Sequence, residues 1–129
     1  MRIALAILLA LLAQSAAAQM SSQAMFVKID IPRREPLLIT VSYEEALRLT
    51  KSQQIYTIGF WVEAALLQAK VRHRIGRLNG RDWVAEIAGV RETAKARWVV
   101  FVDGERLEVH MNTQPAQGAH SIKLVYETP

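Results

Sequence analysis

Beyond its first eighteen residues the chain alternates between two hydrophobic periods, and the points where one replaces the other predict its elements. Met25 to Ile31 sets Val27, Ile29 and Ile31 against Lys28 and Asp30, the period of two expected of a half-buried strand. Pro32-Arg33-Arg34-Glu35-Pro36 interrupts it, and Leu37 to Tyr43 reads as a partner strand carrying the β-branched and aromatic residues that suit a pleated sheet. Ser42, followed three residues later by Glu45, fits a capping box that would start a short helix over Tyr43 to Thr50, although Tyr43 equally extends the strand. Beyond Thr57 the period becomes helical. Phe60, Ala64, Leu67, Val71 and Ile75 fall on one stripe, with Gly76 as the left-handed terminator and Asn79-Gly80 as a turn beyond it.

Strand-like patterning returns over Trp83 to Val90, Arg97 to Val102 and Ser121 to Glu127. Asp103-Gly104 is a hairpin-type turn signal, with Arg106 to Met111 as a short returning arm. Asn112 to Ala119, which holds Pro115 and Gly118, reads as an exposed loop. The order is strand, strand, helix, then three or four strands. It predicts an α+β domain of two layers, one main helix packed on a mixed, mostly antiparallel sheet of four to five strands.

Met1 to Ala18 fits neither pattern. Arg2 precedes an apolar stretch from Ile3 to Ala13, and Ala16-Ala17-Ala18 supplies the small-residue motif a signal peptidase needs. A membrane anchor is the competing reading, but a spanning helix needs about 20 apolar residues and this stretch meets Gln14-Ser15 after about 11. The expectation is a signal peptide cleaved after about Ala18, which makes the protein periplasmic or secreted and not membrane-spanning. Gln19 to Ala24 is then a short flexible leader, and residues 25–129 form a single domain.

The chain contains no Cys, which excludes disulfides, a thiol nucleophile and a Cys-ligated zinc site. Stability must come from buried side chains, so Trp61, Trp83 and Trp98 count first as packing mass and second as walls for a flat-ring ligand. The formal net charge is +4, and the cations are concentrated. Lys70, Arg72, Arg74, Arg77 and Arg81, with His73 among them, precede the next acid, Asp82. On a helix continued past Gly76, Lys70, Arg74, Arg77 and Arg81 would share one side and attract a polyanion. The plainer alternative is a solvated helix end whose cations offset the helix dipole. Nucleic acid is not expected, because an exported chain without stacking aromatics beside the patch lacks the usual footprint.

His110 and His120 flank the Asn112 to Ala119 loop, near Asp103 and Glu108, but their spacing matches no zinc pattern, so neither metal nor cofactor is expected. There is no Gly-Xaa-Ser-Xaa-Gly elbow and no His-Glu-Xaa-Xaa-His. The chain reads as non-enzymatic, without catalytic residues.

Three segments carry a resemblance: Trp83-Val84-Ala85-Glu86-Ile87-Ala88-Gly89-Val90, Trp98-Val99-Val100-Phe101-Val102-Asp103-Gly104 and Ile122-Lys123-Leu124-Val125-Tyr126. Together they resemble bacterial domains similar to the transcobalamin C-terminal domain. Gly89, Trp98, Gly104 and Tyr126 match that pattern, Asp103 replaces the Asn of its Val-Asn-Gly turn, and Gly118-Ala119-His120-Ser121 replaces its Gly-Asp before the last strand. The resemblance implies a β-grasp fold with a helix cradled by a curved sheet. It also implies binding of cobalamin, glycans, peptides or partner domains, and it nominates Trp98, Asp103, Gly104 and Tyr126 for that role. The leading expectation is an exported, non-enzymatic module that binds a small ligand or partner protein through a sheet edge or the loops near Asp103 and Asn112 to Ala119. The alternative is an electrostatic binder of polyanionic envelope material through Lys70 to Arg81. Binding of a corrinoid rests on the resemblance alone.

Overall fold

The computed structural model describes residues 23–51 and 57–128. The expected signal peptide, Met1 to Ala18, and the leader as far as residue 22 lie outside them. Strand β1 (Ala24–Asp30) pairs antiparallel with β2 (Leu37–Ser42), placing Val27 opposite Ile39. The alternation seen in sequence decides the faces: Met25, Val27 and Ile29 are buried, while Phe26 and Lys28 are exposed. Helix α1 (Tyr43–Thr50) follows at once, its first turn closed by a 3.2 Å hydrogen bond from Glu45 N to Ser42 Oγ. Only half of the capping box forms, because the Glu45 carboxylate turns to the Arg48 guanidinium at 2.6 and 3.0 Å.

The main helix, α2 (Ile58–Gln68), is shorter than the stripe predicts. Lys70 adopts φ 54°, and Lys70 N and Val71 N donate to Leu67 O and Leu66 O, which ends the helix before Val71. An αL terminator is usually Gly, so a Lys there carries no sequence signal. Ile58, Gly59, Phe60, Trp61, Val62, Ala64, Ala65 and Leu66 are all buried, the mark of a core helix rather than an amphipathic surface one. Val71 and Ile75 misled because a spacing of four residues satisfies both one helical turn and two strand pleats.

The segment expected to be the helix end is instead strand β3 (His73–Leu78), antiparallel to β4 (Arg81–Ile87) around a two-residue turn at Asn79-Gly80. Gly76 does not terminate a helix; it lies opposite Trp83, and a Cβ there would collide with Cε2 and Cζ2 of the indole. The predicted Trp83 to Val90 strand is broken by a second positive-φ turn, Ala88-Gly89, which returns the chain as β5 (Val90–Arg91). Strands β6 (Arg97–Val102), β7 (Glu105–Arg106) and β8 (Ser121–Glu127) complete the set.

The fold is α+β, with a five-stranded sheet in the order β2-β1-β8-β6-β7 and a separate three-stranded sheet β3-β4-β5. In the larger sheet β1 and β8 run parallel and the other pairs antiparallel. The expected single sheet is therefore corrected to two sheets, while the main helix is joined by the short one over Tyr43 to Thr50 that the Ser42 cap offered. Helix α2, with Trp61 and Leu66 fully buried, shares one hydrophobic core with Ile29, Val41, Ile122 and Leu124 of the larger sheet and Val84 and Ile87 of the smaller one.

The arm after Asp103-Gly104 stays beside β6 only as far as Leu107, whose N donates to Val100 O at 2.8 Å. The following loop is less exposed than expected, because Met111, Ala116 and Ala119 are buried. Met111 O and Gln114 O accept from Gly59 N and Ile58 N at 2.8 and 2.9 Å. Backbone donors of a helical first turn have no partner within the helix, so this loop caps α2.

Candidate functional site

Two of the four nominated residues form a structural post. Trp98 and Tyr126 are register partners on β6 and β8, with ring centroids 5.3 Å apart. Trp98 Nε1 donates to Val90 O at 2.9 Å, and the Tyr126 hydroxyl donates to Arg91 O at 2.6 Å. Both polar tips are thereby used to fasten β5 against the larger sheet.

The other two sit at the far end of β6. Asp103 and Gly104 adopt φ 49° and 85°, the positive values a two-residue hairpin turn requires. Asp103 Oδ1 accepts from His120 N and Ser121 N at 2.9 Å each, and from Ser121 Oγ at 3.3 Å. These donors, the His120 amide foremost and with burial opposing them, hold the Asp103 carboxyl below the ordinary carboxylate range. The side chain ties the β6–β7 turn to the start of β8. Trp98 and Asp103 are five residue steps apart along β6 and its turn, about 16 Å at ~3.3 Å per step. The structure does not bring the four residues together.

Nor do the five basic residues form a helical face. They run from the end of α2 along β3 to the first residue of β4, and two of them meet acids: Arg77 reaches Glu63 at 3.1 Å and Asp82 at 3.6 Å, and Arg72 lies 4.0 Å from Glu86. Glu86 is only 5% exposed and also accepts from Arg91 at 3.2 Å. Lys70, Arg74 and Arg81 have no ion pair among the described residues. His120 donates its backbone amide to Asp103 at 2.9 Å. Among the described residues no group of three or more His, Cys, Asp or Glu is placed to hold a metal ion.

A different surface stands out, the outer face of the five-stranded sheet. Register places Leu38 beside Lys28, Lys28 beside Lys123, and Lys123 beside Phe101, so these four side chains form one row across four strands. The adjacent row is Thr40, Phe26 and Ser121. Phe26 is 61% exposed and Leu38 79% exposed. Together with Phe101 and Gly104 they border a shallow groove of about 550 Å³. Lys123 Nζ lies 5.2 Å from the Phe101 ring centroid, within cation–π range, and Lys28 Nζ lies 4.0 Å from Asp30.

Of the nominated residues only Gly104 touches this groove. The available sequence signal was parity, since Phe26 shares the polar phase of Lys28 and Leu38 that of Thr40. A second cavity, of about 340 Å³, opens between Trp83, Trp98 and the Leu107 to Met111 arm. Trp83 is half-buried there with its Nε1 bonded to Glu92 at 3.1 Å. Trp61 is buried in the core beside Phe60 and Tyr43.

No family model matches the chain, and no curated protein matches it in sequence. Solved structures that share the fold include a candidate metal-binding protein from Ruminococcus gnavus, at 11% identity and a TM-score of 0.56, covering 84% of this chain and 99% of that one. They also include haptocorrin in complex with Cbi, at 10% identity and a TM-score of 0.56, covering 82% of this chain. This chain spans 25% of that haptocorrin. Haptocorrin is a transcobalamin-like protein, so the likeness agrees with the fold that the motifs implied. At these identities it is a likeness of fold. Among the described residues no helix is long and apolar enough to cross a membrane.

Proposed function

We propose that the protein is an exported, non-enzymatic, β-grasp-like binding module that recognises a small ligand or a partner protein through the outer face of its five-stranded sheet. The observation that carries this reading is the exposure of Phe26 and Leu38 on adjacent strands, with Phe101 across the same face. The solvated face of an antiparallel or mixed sheet is ordinarily polar, and contiguous apolar groups left there mark a binding surface. The fold neighbours, described through a metal and through Cbi, support a binding class and nothing finer. The Arg2 to Ala18 pattern supports export, and the intact mass of the protein recovered from an expressing bacterium tests cleavage after Ala18.

On the polyanion alternative the basic residues run along a strand and its ends rather than a helix, and Glu63, Asp82 and Glu86 offset part of their charge. The deciding experiment immobilises the wild-type protein and a Phe26→Thr/Leu38→Thr variant and compares what each retains from envelope extracts at low and high salt. Retention that survives salt and is lost in the variant supports the outer face. Retention that the variant keeps and salt abolishes overturns it in favour of the basic segment.

A further inference from the structure

We infer that the outer sheet face takes an amphiphilic anion, an apolar chain or ring system ending in a carboxylate or similar group, whose charge is held between Lys28 and Lys123. This deepens the proposed binding role and rests on it.

The two lysines are direct register partners on parallel strands, and neighbouring strands lie about 4.8 Å apart. Like charges side by side on one sheet face are destabilising. The compensation nearby is thin. Asp30, one pleat along β1, is 4.0 Å from Lys28 Nζ, and the Lys123 ammonium has the Phe101 ring at 5.2 Å. An anion seated between the two ammonium groups would turn that repulsion into two charge-assisted contacts.

The surroundings specify the rest of the ligand. Leu38 and Phe101 flank the two lysines in the same row, which continues to Arg106 on β7, and Phe26 lies in the next row, so an anionic head between the lysines leaves an apolar body against these three side chains. A groove of about 550 Å³ falls in the range of about 300–1,000 Å³ typical of small-ligand sites. Addition of a partner strand is opposed at the β2 edge, because Thr40 O there already accepts from Gln68 Nε2 of α2 at 2.9 Å. The face is available and the edge is partly closed, which favours a ligand lying across the strands.

Decanoate and decanol share a chain and differ in charge, so they serve as probes of the full processed protein, followed by amide chemical shifts. Decanoate is expected to shift Phe26, Lys28, Phe101 and Lys123 and to bind about tenfold more weakly to a Lys28→Gln/Lys123→Gln variant, the loss of about one charge-assisted hydrogen bond. Decanol is expected to bind both proteins alike, and Phe26→Thr/Leu38→Thr to weaken both probes.

Equal decanoate affinity in the lysine variant, with both probes still lost in the Phe26/Leu38 variant, overturns the anion while leaving the binding face standing. Binding to phosphatidylglycerol vesicles without any shift from monomeric decanoate makes the face a membrane contact and also overturns it. If neither probe nor vesicles perturb the face, and envelope retention is indifferent to Phe26 and Leu38, both readings fall together.

Discussion

Leu124 and Lys123 are consecutive residues of β8, yet one is fully buried and the other exposed. The same division runs through the five-stranded sheet. Its inner face, with Val27, Ile29, Val41, Ile122 and Leu124, shares a core with α2 and with the smaller sheet. Its outer face keeps Phe26 and Leu38 in solvent beside two neighbouring lysines. Strand geometry alternates side chains without regard to their chemistry, so the inner face shows what folding requires and the outer face shows what folding leaves unexplained. Substitutions on the two faces should therefore separate stability from binding.

The largest effect should come from the middle of the inner face. Leu124→Ala is expected to cost about 3 kcal/mol, because the lost burial is compounded by a cavity, and a denaturant titration would measure it. A loss below 1 kcal/mol, of order RT, would mean that this face is not the core described above. The contact between β3 and β4 at Gly76 and Trp83 comes next. Gly76→Ala should cost about 2 kcal/mol, since the indole of Trp83 must leave its seat and its bond to Glu92. Comparison with Gly80→Ala, where a Cβ meets open space but φ is 73°, separates collision from backbone strain.

Tyr126→Phe removes the hydroxyl bonded to Arg91 O and should cost about 1 kcal/mol. If Tyr126 acted instead as a ligand contact, this variant would alter binding and leave the midpoint unchanged.

Asp103 gives a pH-dependent version of the same test. Its folded carboxyl is held below the usual range, so its contribution is present above the unfolded value of about 4 and is lost as pH falls through the lower folded value. Asp103→Asn should remove that part of the acid dependence while keeping the turn. An unchanged acid limb in the variant's unfolding curves would show that the three donors at Asp103 do not favour its charge. The smallest effect belongs to the outer face. Leu38→Thr should change stability by less than about 0.5 kcal/mol, and a thermal melt matching wild type, together with lost ligand retention, would complete the separation.

Much of this architecture was legible because it depends on near neighbours. The β1 alternation, the Ser42 cap and the turns at Asn79-Gly80 and Asp103-Gly104 all appear where local pattern places them. The α2 boundary was not, because Lys70 in αL ends the helix and Gly76 serves the Trp83 ring instead. The nominated site was only half legible. The family resemblance nominated Trp98, Asp103, Gly104 and Tyr126 for binding, and three of them spend their polar or aromatic groups on holding β5, β8 and the β6–β7 turn.

By itself, then, the amino-acid sequence determined the α+β class, the parity of β1 and the tight turns at Asn79-Gly80 and Asp103-Gly104, since those rest on backbone sterics and spacing over a few residues. Tertiary structure alone decided that the basic segment becomes a strand, that a second sheet closes the core, and that Lys28 stands beside Lys123. That last pairing arises from parallel alignment of the first and last strands described. No local pattern encodes a contact between chain segments so far apart, because its register is chosen by how the inner faces of both strands pack on the shared core.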